Sequence, residues 1–232
     1  MSTEDDFLFD NLDFRVPPAR DIGPERERII VDPSKYVEHL TQAWINERAA
    51  PDVLQYEQAT VDGLLAKIEE QTAAIDDLDS GKDAAMIISI LYQTELERVK
   101  FVLRSYLRTR ISKIERFCEY ILSDPSSKER LSRAEVIYAE NYSRVTRQHY
   151  HSSFLSSLPP SLQHQDDTVF DRGLSMISQP RLDEAVFCRI MEDIGDFQLE
   201  DDETVELETG QIYIFRYRTV RVLLQRGQIE LI

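Results

Sequence analysis

The sequence predicts a mainly helical fold: a four-helix N-terminal domain followed by a small β-rich C-terminal domain. Three observations carry this expectation. From Asp32 to about Ser157, apolar residues recur at three- and four-residue steps, the spacing of one helical face. Beyond Pro159-Pro160 the period changes to two, as in half-buried strands. The breaks between runs carry Pro, Gly, Asp and Ser, the residues that end helices and make turns.

In chain order, residues 1–31 hold many acids, several Arg and Pro17-Pro18, with little periodicity, and read as a disordered acidic tail. One island stands out, Thr3 to Leu12. Thr3 fits a helix cap and Glu4, Asp5 and Asp6 fit the positive end of a short helix. Phe7, Leu8 and Leu12, with Phe9 alongside, would then supply an apolar face that docks as a peptide in a groove; an inert acidic tail is the equal alternative.

A helical domain is expected over 32–157. Asp32-Pro33 is a helix start, with Val37, Leu40 and Trp44 on one face. Trp44, the sole Trp, reads as a core anchor. Pro51 stops this helix near Arg48, and a second is expected from Pro51 or Asp52 to Leu78, weakened at Gly63 and closed by Ser80-Gly81.

The third stretch, Ala84 to Leu122, contains no Pro or Gly and reads as one continuous helix. Its apolar residues cover more than one stripe, which fits either the central helix of a bundle or a helix that packs its own domain on one side and a partner on the other. It also carries a cationic row, Lys100, Arg104 and Arg108. Asp124-Pro125 breaks the chain. Ser132 and Glu135 then have capping-box spacing, with Leu131 and Val136 placed as a hydrophobic staple for a fourth helix to about Leu155.

A linker spans 158–170, and 171–232 is expected to be the β-rich domain. Val186, Cys188 and Ile190 alternate, as do Ile212 and Ile214 with Tyr213 and Phe215. Gly195 and Gly210 sit at turns. Thr219 to Gln225 fits one or two helical turns closed by Gly227, and Ile229 to Ile232 reads as a last strand. A domain of this size is marginal alone and is expected to lean on another surface.

The formal net charge of −16 argues against broad affinity for nucleic acid or anionic membrane, although the cationic row keeps a nucleic-acid-binding module open as an alternative. There is no apolar run long enough to span a membrane. Cys118 and Cys188 each lie in an apolar pattern and are expected to be buried free thiols in an intracellular, soluble protein. No catalytic, phosphate-loop or metal-ligand spacing stands out; His149 and His151 lie on different sides of a helix with no Cys nearby. No cofactor is expected.

Four blocks resemble the Sld-five subunit family of the eukaryotic GINS complex. They are Leu40 to Glu47 with Pro51-Asp52 and Leu54; Glu95 to Glu115; Leu158-Pro159-Pro160 with Leu162-Gln163; and Leu207-Glu208 with Gly210, Arg216 to Val220 and the terminal Leu231-Ile232. The first thirty residues depart from the family pattern. The resemblance implies a helical A domain and a small β-rich B domain in a non-enzymatic subunit. The implied partners are Psf-one, as a direct heterodimer, and Psf-two and Psf-three in a heterotetramer. That assembly joins the MCM ring and the Cdc-forty-five protein in the replicative CMG helicase, in the nucleus, without strong DNA binding of its own.

Residues 3–12 are similar to the peptide with which some relatives dock a trimeric replisome adaptor. On the central helix the resemblance points to Val99, Leu103, Tyr106, Leu107, Arg108 and Arg110 as partner contacts. In the B domain it points to Arg216, Tyr217, Leu231 and Ile232 as assembly residues.

Overall fold

A computed structural model describes residues 35–78, 83–169, 174–198 and 204–232. The peptide island at 3–12, the Asp32 cap and the Ser80-Gly81 stop lie outside these residues.

The helices are α1 (Tyr36–Ala49), α2 (Gln58–Leu78), α3 (Asp83–Arg116), α4 (Cys118–Ser123), α5 (Pro125–Lys128) and α6 (Arg133–Ser153). The capping box at α6 is formed as the spacing predicts: the Ser132 hydroxyl accepts from the Glu135 amide, and Glu135 accepts from the Ser132 amide. Gly63 gives α2 room for a neighbour, because a Cβ there would meet the Tyr36 ring at 2.6 Å.

Two helix boundaries differ from expectation. The second helix begins at Gln58, not at Pro51 or Asp52. Residues 53–57 run without helix across the bundle, and the Tyr56 amide bonds the Arg130 carbonyl at 2.9 Å. The long third helix breaks at Phe117, where the backbone turns to φ −113°, ψ 23° before α4. No Pro or Gly marks this break; Phe117 packs instead onto the cluster around Ile114 and Ile121. Asp124 then caps the short α5 through the Ser126 and Ser127 amides.

After two short 3-10 turns the chain forms a β-rich region with strands β1 (Thr168–Val169), β2 (Leu174–Ser175), β3 (Ala185–Ile190), β4 (Gly195–Gln198), β5 (Thr204–Leu207), β6 (Ile212–Arg216) and β7 (Ile229–Leu231). β6, β3 and β7 make an antiparallel sheet in that order, and β1–β2 and β4–β5 are two-stranded ribbons. Between β6 and β7 lies α7 (Tyr217–Gln225), followed by Gly227 at φ 73°, a conformation that glycine adopts without strain.

Among the described residues, three apolar clusters form the core. Leu40, Val61, Leu64, Leu103 and Tyr106 join α1, α2 and α3. Val53, Ile114, Cys118, Ile121 and Ala139 join the crossing segment to α3, α4 and α6. Val186, Cys188, Ile190, Tyr217, Val220, Ile229 and Leu231 form the β core, which also takes in Ala50 from the end of α1, with Leu54 packed against it. The small sheet therefore leans on its own helices. Asn46 and Gln42 of α1 fix its last strand: Leu231 donates its amide to Asn46 Oδ1 at 2.8 Å, and Gln42 Nε2 donates to the Leu231 carbonyl at 3.3 Å.

Candidate partner interface

The helical region is tied together, and joined to the sheet, by buried charge. Arg110 of α3 is fully buried, and its guanidinium donates to both Glu135 oxygens at 2.7 and 3.0 Å and to Glu47 Oε2 at 3.0 Å. Its remaining donors reach the Leu54 and Arg130 carbonyls, and Tyr56 and Tyr106 flank it at 5.2 and 5.7 Å. Burial alone would make this group easier to deprotonate, but Glu135 and Glu47 override it and hold the charge more firmly than in an ordinary arginine. Lys113 also reaches Glu47, at 2.9 Å, and burial pushes its ammonium below the usual lysine range against that pull.

Three residues beyond the end of α1, Asp52 joins the two regions. Its carboxylate takes Arg130 at 2.8 Å from the helical side, and Arg221 at 2.9 Å and the Tyr217 hydroxyl from α7. Burial, and then the Asp52 charge, push the Tyr217 hydroxyl upward, so it remains a proton donor. Removing water from so many charges is costly unless every partner is placed. This network therefore sets one orientation of sheet on helices and is not itself an open binding site.

That geometry decides where the expected contacts fall. Leu103, Tyr106 and Arg110 point into the chain's own core, and they are corrected from partner contacts to packing residues. The cause is their register: α1 and α2 cover Leu103 and Tyr106, while Glu47 of α1, the 53–57 segment and Glu135 of α6 enclose Arg110. Val99 and Leu107 are half-buried at the edge of the same cluster, and Arg108 is exposed. Tyr217 and Leu231 are buried within the β core, whereas Arg216 and Ile232 are exposed.

Trp44 is half-buried rather than a central anchor. It meets Phe101 edge to face at a 6.3 Å centroid separation and donates to Thr109 Oγ1 at 3.3 Å. Within the cationic row, Lys100 and Arg104 are bridged to Glu97 at 3.0 and 2.9 Å, so much of its charge is answered on the same helix. Phe7, Leu8 and Leu12 lie outside the described residues.

Among the described residues, three apolar surfaces are exposed. The first is the N-terminal half of α3, where Ile87 is 65% exposed, Leu91 62%, and Ile88, Ile90 and Tyr92 about half. The sequence signal for it is Met86 to Tyr92, six large apolar residues in seven positions, more than one face can bury. The second runs along α6 and beyond it, through Val145, Tyr150, Phe154 and Leu162. The third is the outer face of the three-stranded sheet. There Phe187 lies opposite Ile214, Ile232 donates its amide to the Phe187 carbonyl at 3.2 Å, and Ile212 follows in the next row.

Scattered exposed apolar residues are ordinary, but contiguous patches mark surfaces that another protein covers. Among the described residues, no group of three His, Cys, Asp or Glu could hold a metal, and no helix is long and apolar enough to cross a membrane.

Two family models match the chain. The GINS complex protein helical bundle domain covers residues 64–154, and the DNA replication complex GINS protein SLD5 C-terminus covers 180–232. Among similar proteins, the DNA replication complex GINS protein sld5 of Schizosaccharomyces pombe is 37% identical over 90% of this chain and 99% of its own length. The Arabidopsis thaliana SLD5 protein is 38% identical over 84% of this chain and 90% of its own, and the Bos taurus protein 31% over 92% and 96%.

Proposed function

The chain belongs to the SLD5 family of GINS complex subunits, which act in DNA replication, and we propose that within that complex it is a non-catalytic scaffold. The observation that carries this is the bare apolar half of α3 beside a fully assembled core. Several large apolar side chains on one exposed helix suit a helix of another subunit laid alongside, in the ridge-and-groove manner of helix pairs. Psf-one is the partner for that surface. The outer sheet face, around Phe187, Ile214 and Ile232, and the α6 surface serve Psf-two and Psf-three in a heterotetramer.

Through that assembly the subunit joins the MCM ring and the Cdc-forty-five protein at the replication fork in the nucleus, while ATP hydrolysis belongs to the ring. The peptide at 3–12 docks a trimeric replisome adaptor. Arg216 and Ile232 contact neighbours, whereas Tyr217 and Leu231 support assembly from within the core under the sheet. The α3 surface explains an expected property of the isolated chain: it self-associates unless Psf-one covers it.

The test is co-expression of this chain with the three other GINS subunits, followed by size-exclusion chromatography with light scattering. A single species with one copy of each is expected. A sharply melting monomer that ignores the other three subunits would refute the proposal.

A further inference from the structure

One surface stands apart from the three apolar patches. It begins at Phe101, which is 58% exposed and rests its ring on Trp44. Arg48 lays its guanidinium 5.6 Å from the Trp44 ring centroid and also borders an open groove of about 690 Å³. Lys113, Arg116 and Arg181 line the same groove, with Pro51 and Phe117 supplying apolar wall. Lys113 is taken up by Glu47, but Arg48, Arg116 and Arg181 are exposed and form no ion pair among the described residues.

The opposing charges are smaller. Glu184 is the one carboxylate among the described residues that lines the groove, and the C-terminal end of α1 adds roughly half a negative charge. The α3 end adds little, because the chain runs on into α4 with the Phe117 amide still bonded to the Lys113 carbonyl at 2.9 Å. Three guanidiniums thus exceed their local counter-charge, within a chain of net charge −16. A neighbouring groove of about 590 Å³ has less surplus, since its Arg218 is paired with Asp183 at 3.3 Å and only Arg181 is left unpaired there, with Glu184 also on the lining.

We propose that the strip from Phe101 to Arg181 docks a short acidic peptide carrying a large apolar residue, supplied by a partner protein. Free guanidiniums offer carboxylates a two-pronged bond, and the Trp44–Phe101 pair offers an apolar side chain a ring surface. From Phe101 to Arg116 the helix rises about 22 Å, which matches an extended peptide of roughly seven residues. The overall negative charge disfavours a long polyphosphate while leaving a few carboxylates a local attraction. This inference is independent of which subunits cover the three apolar faces.

The experiment uses the full chain in the assembly with which it purifies. The probe is a fluorescein-labelled peptide, Asp-Glu-Phe-Asp-Glu-Leu-Asp-Glu, followed by anisotropy. A dissociation constant of about 10–100 μM is expected, rising at least about tenfold in Arg116→Glu/Arg181→Glu and rising with salt. Phe101→Ala should weaken this peptide more than a version with Ala in place of Phe and Leu. Equal binding after charge reversal, equal binding of a Lys-for-acid peptide, tighter binding of a thymidine oligonucleotide, or no binding at about 1 mM would each overturn the proposal. Unchanged melting of both variants shows that folding is not the cause.

Discussion

Replacing Arg110 by Met should destabilise this protein without touching any surface. The wild-type guanidinium is fully enclosed and serves two carboxylates and two carbonyls. Met fills much of the volume but leaves Glu47, itself buried, with Lys113 and the Leu54 amide alone. Glu135 keeps its cap bonds to Ser132 but loses its cation. Breaking a buried pair from one side costs about 3–5 kcal/mol, because the remaining charge stays desolvated.

For a chain of this size each kcal/mol moves Tm by roughly 2–4 °C, so a fall of roughly 6–20 °C is expected. Circular dichroism melts read this directly, on the wild type, Arg110→Met, Glu135→Gln and the double variant. The two substitutions should couple by more than about 1 kcal/mol, since they remove one shared contact. A Tm within about 2 °C of wild type, or simple additivity, would refute the claim that this cluster ties the helical region together.

Three other perturbations probe different parts of the structure. Trp44→Ala should cost about 1.5–2.5 kcal/mol, roughly half the value for a fully buried aromatic, in a urea titration, because Trp44 is half-buried. Deleting Gln228 to Ile232 removes Ile229 and Leu231 from the β core and the Asn46 anchor from α1, so the sheet should become protease-sensitive while 35–157 stays folded. Burial pushes the thiols of Cys118 and Cys188 up to about 11, so the reactive thiolate is scarce below that pH. Disulfide reagents at about pH 8 should therefore label both slowly in native protein and at once in denaturant, and fast native labelling would place the thiols at the surface.

Where local chemistry is sufficient, the sequence and the structure agree. The Ser132–Glu135 box starts α6, the alternation at 186–190 builds β3 with its even residues inward, and Ile229 to Leu231 closes the sheet. What local chemistry omits is context. Nothing at Phe117 disfavours helix; its ring packs on a cluster that includes its neighbours Ile114 and Ile121 and also Val53 and Ala139 from elsewhere in the chain. Asp52 looks like a helix start, but its carboxylate is claimed by Arg130, Arg221 and Tyr217, residues that lie from 78 to 169 positions away along the chain.

In β6 both faces are apolar, so periodicity alone leaves open that Tyr213 and Phe215 turn inward and Ile212 and Ile214 outward. The same ambiguity shifted the expected partner contacts on the central helix. Its apolar surplus was visible, but only the positions of α1 and α2 assign Leu103 to the core and Leu91 to the surface.

The assignment of that surface is tested most directly by two single substitutions of the same chemistry on the same helix. Leu91→Asp and Leu103→Asp each place a carboxylate on α3, one on the bare half and one in the core. The measurement is the mass of the assembly co-purified with Psf-one, Psf-two and Psf-three, together with the Tm of each variant chain. Leu91→Asp should leave Tm within about 2 °C and abolish the heterotetramer, whereas Leu103→Asp should lower Tm by roughly 6 °C or more and lose assembly through unfolding. A full-mass heterotetramer carrying Leu91→Asp would contradict the account.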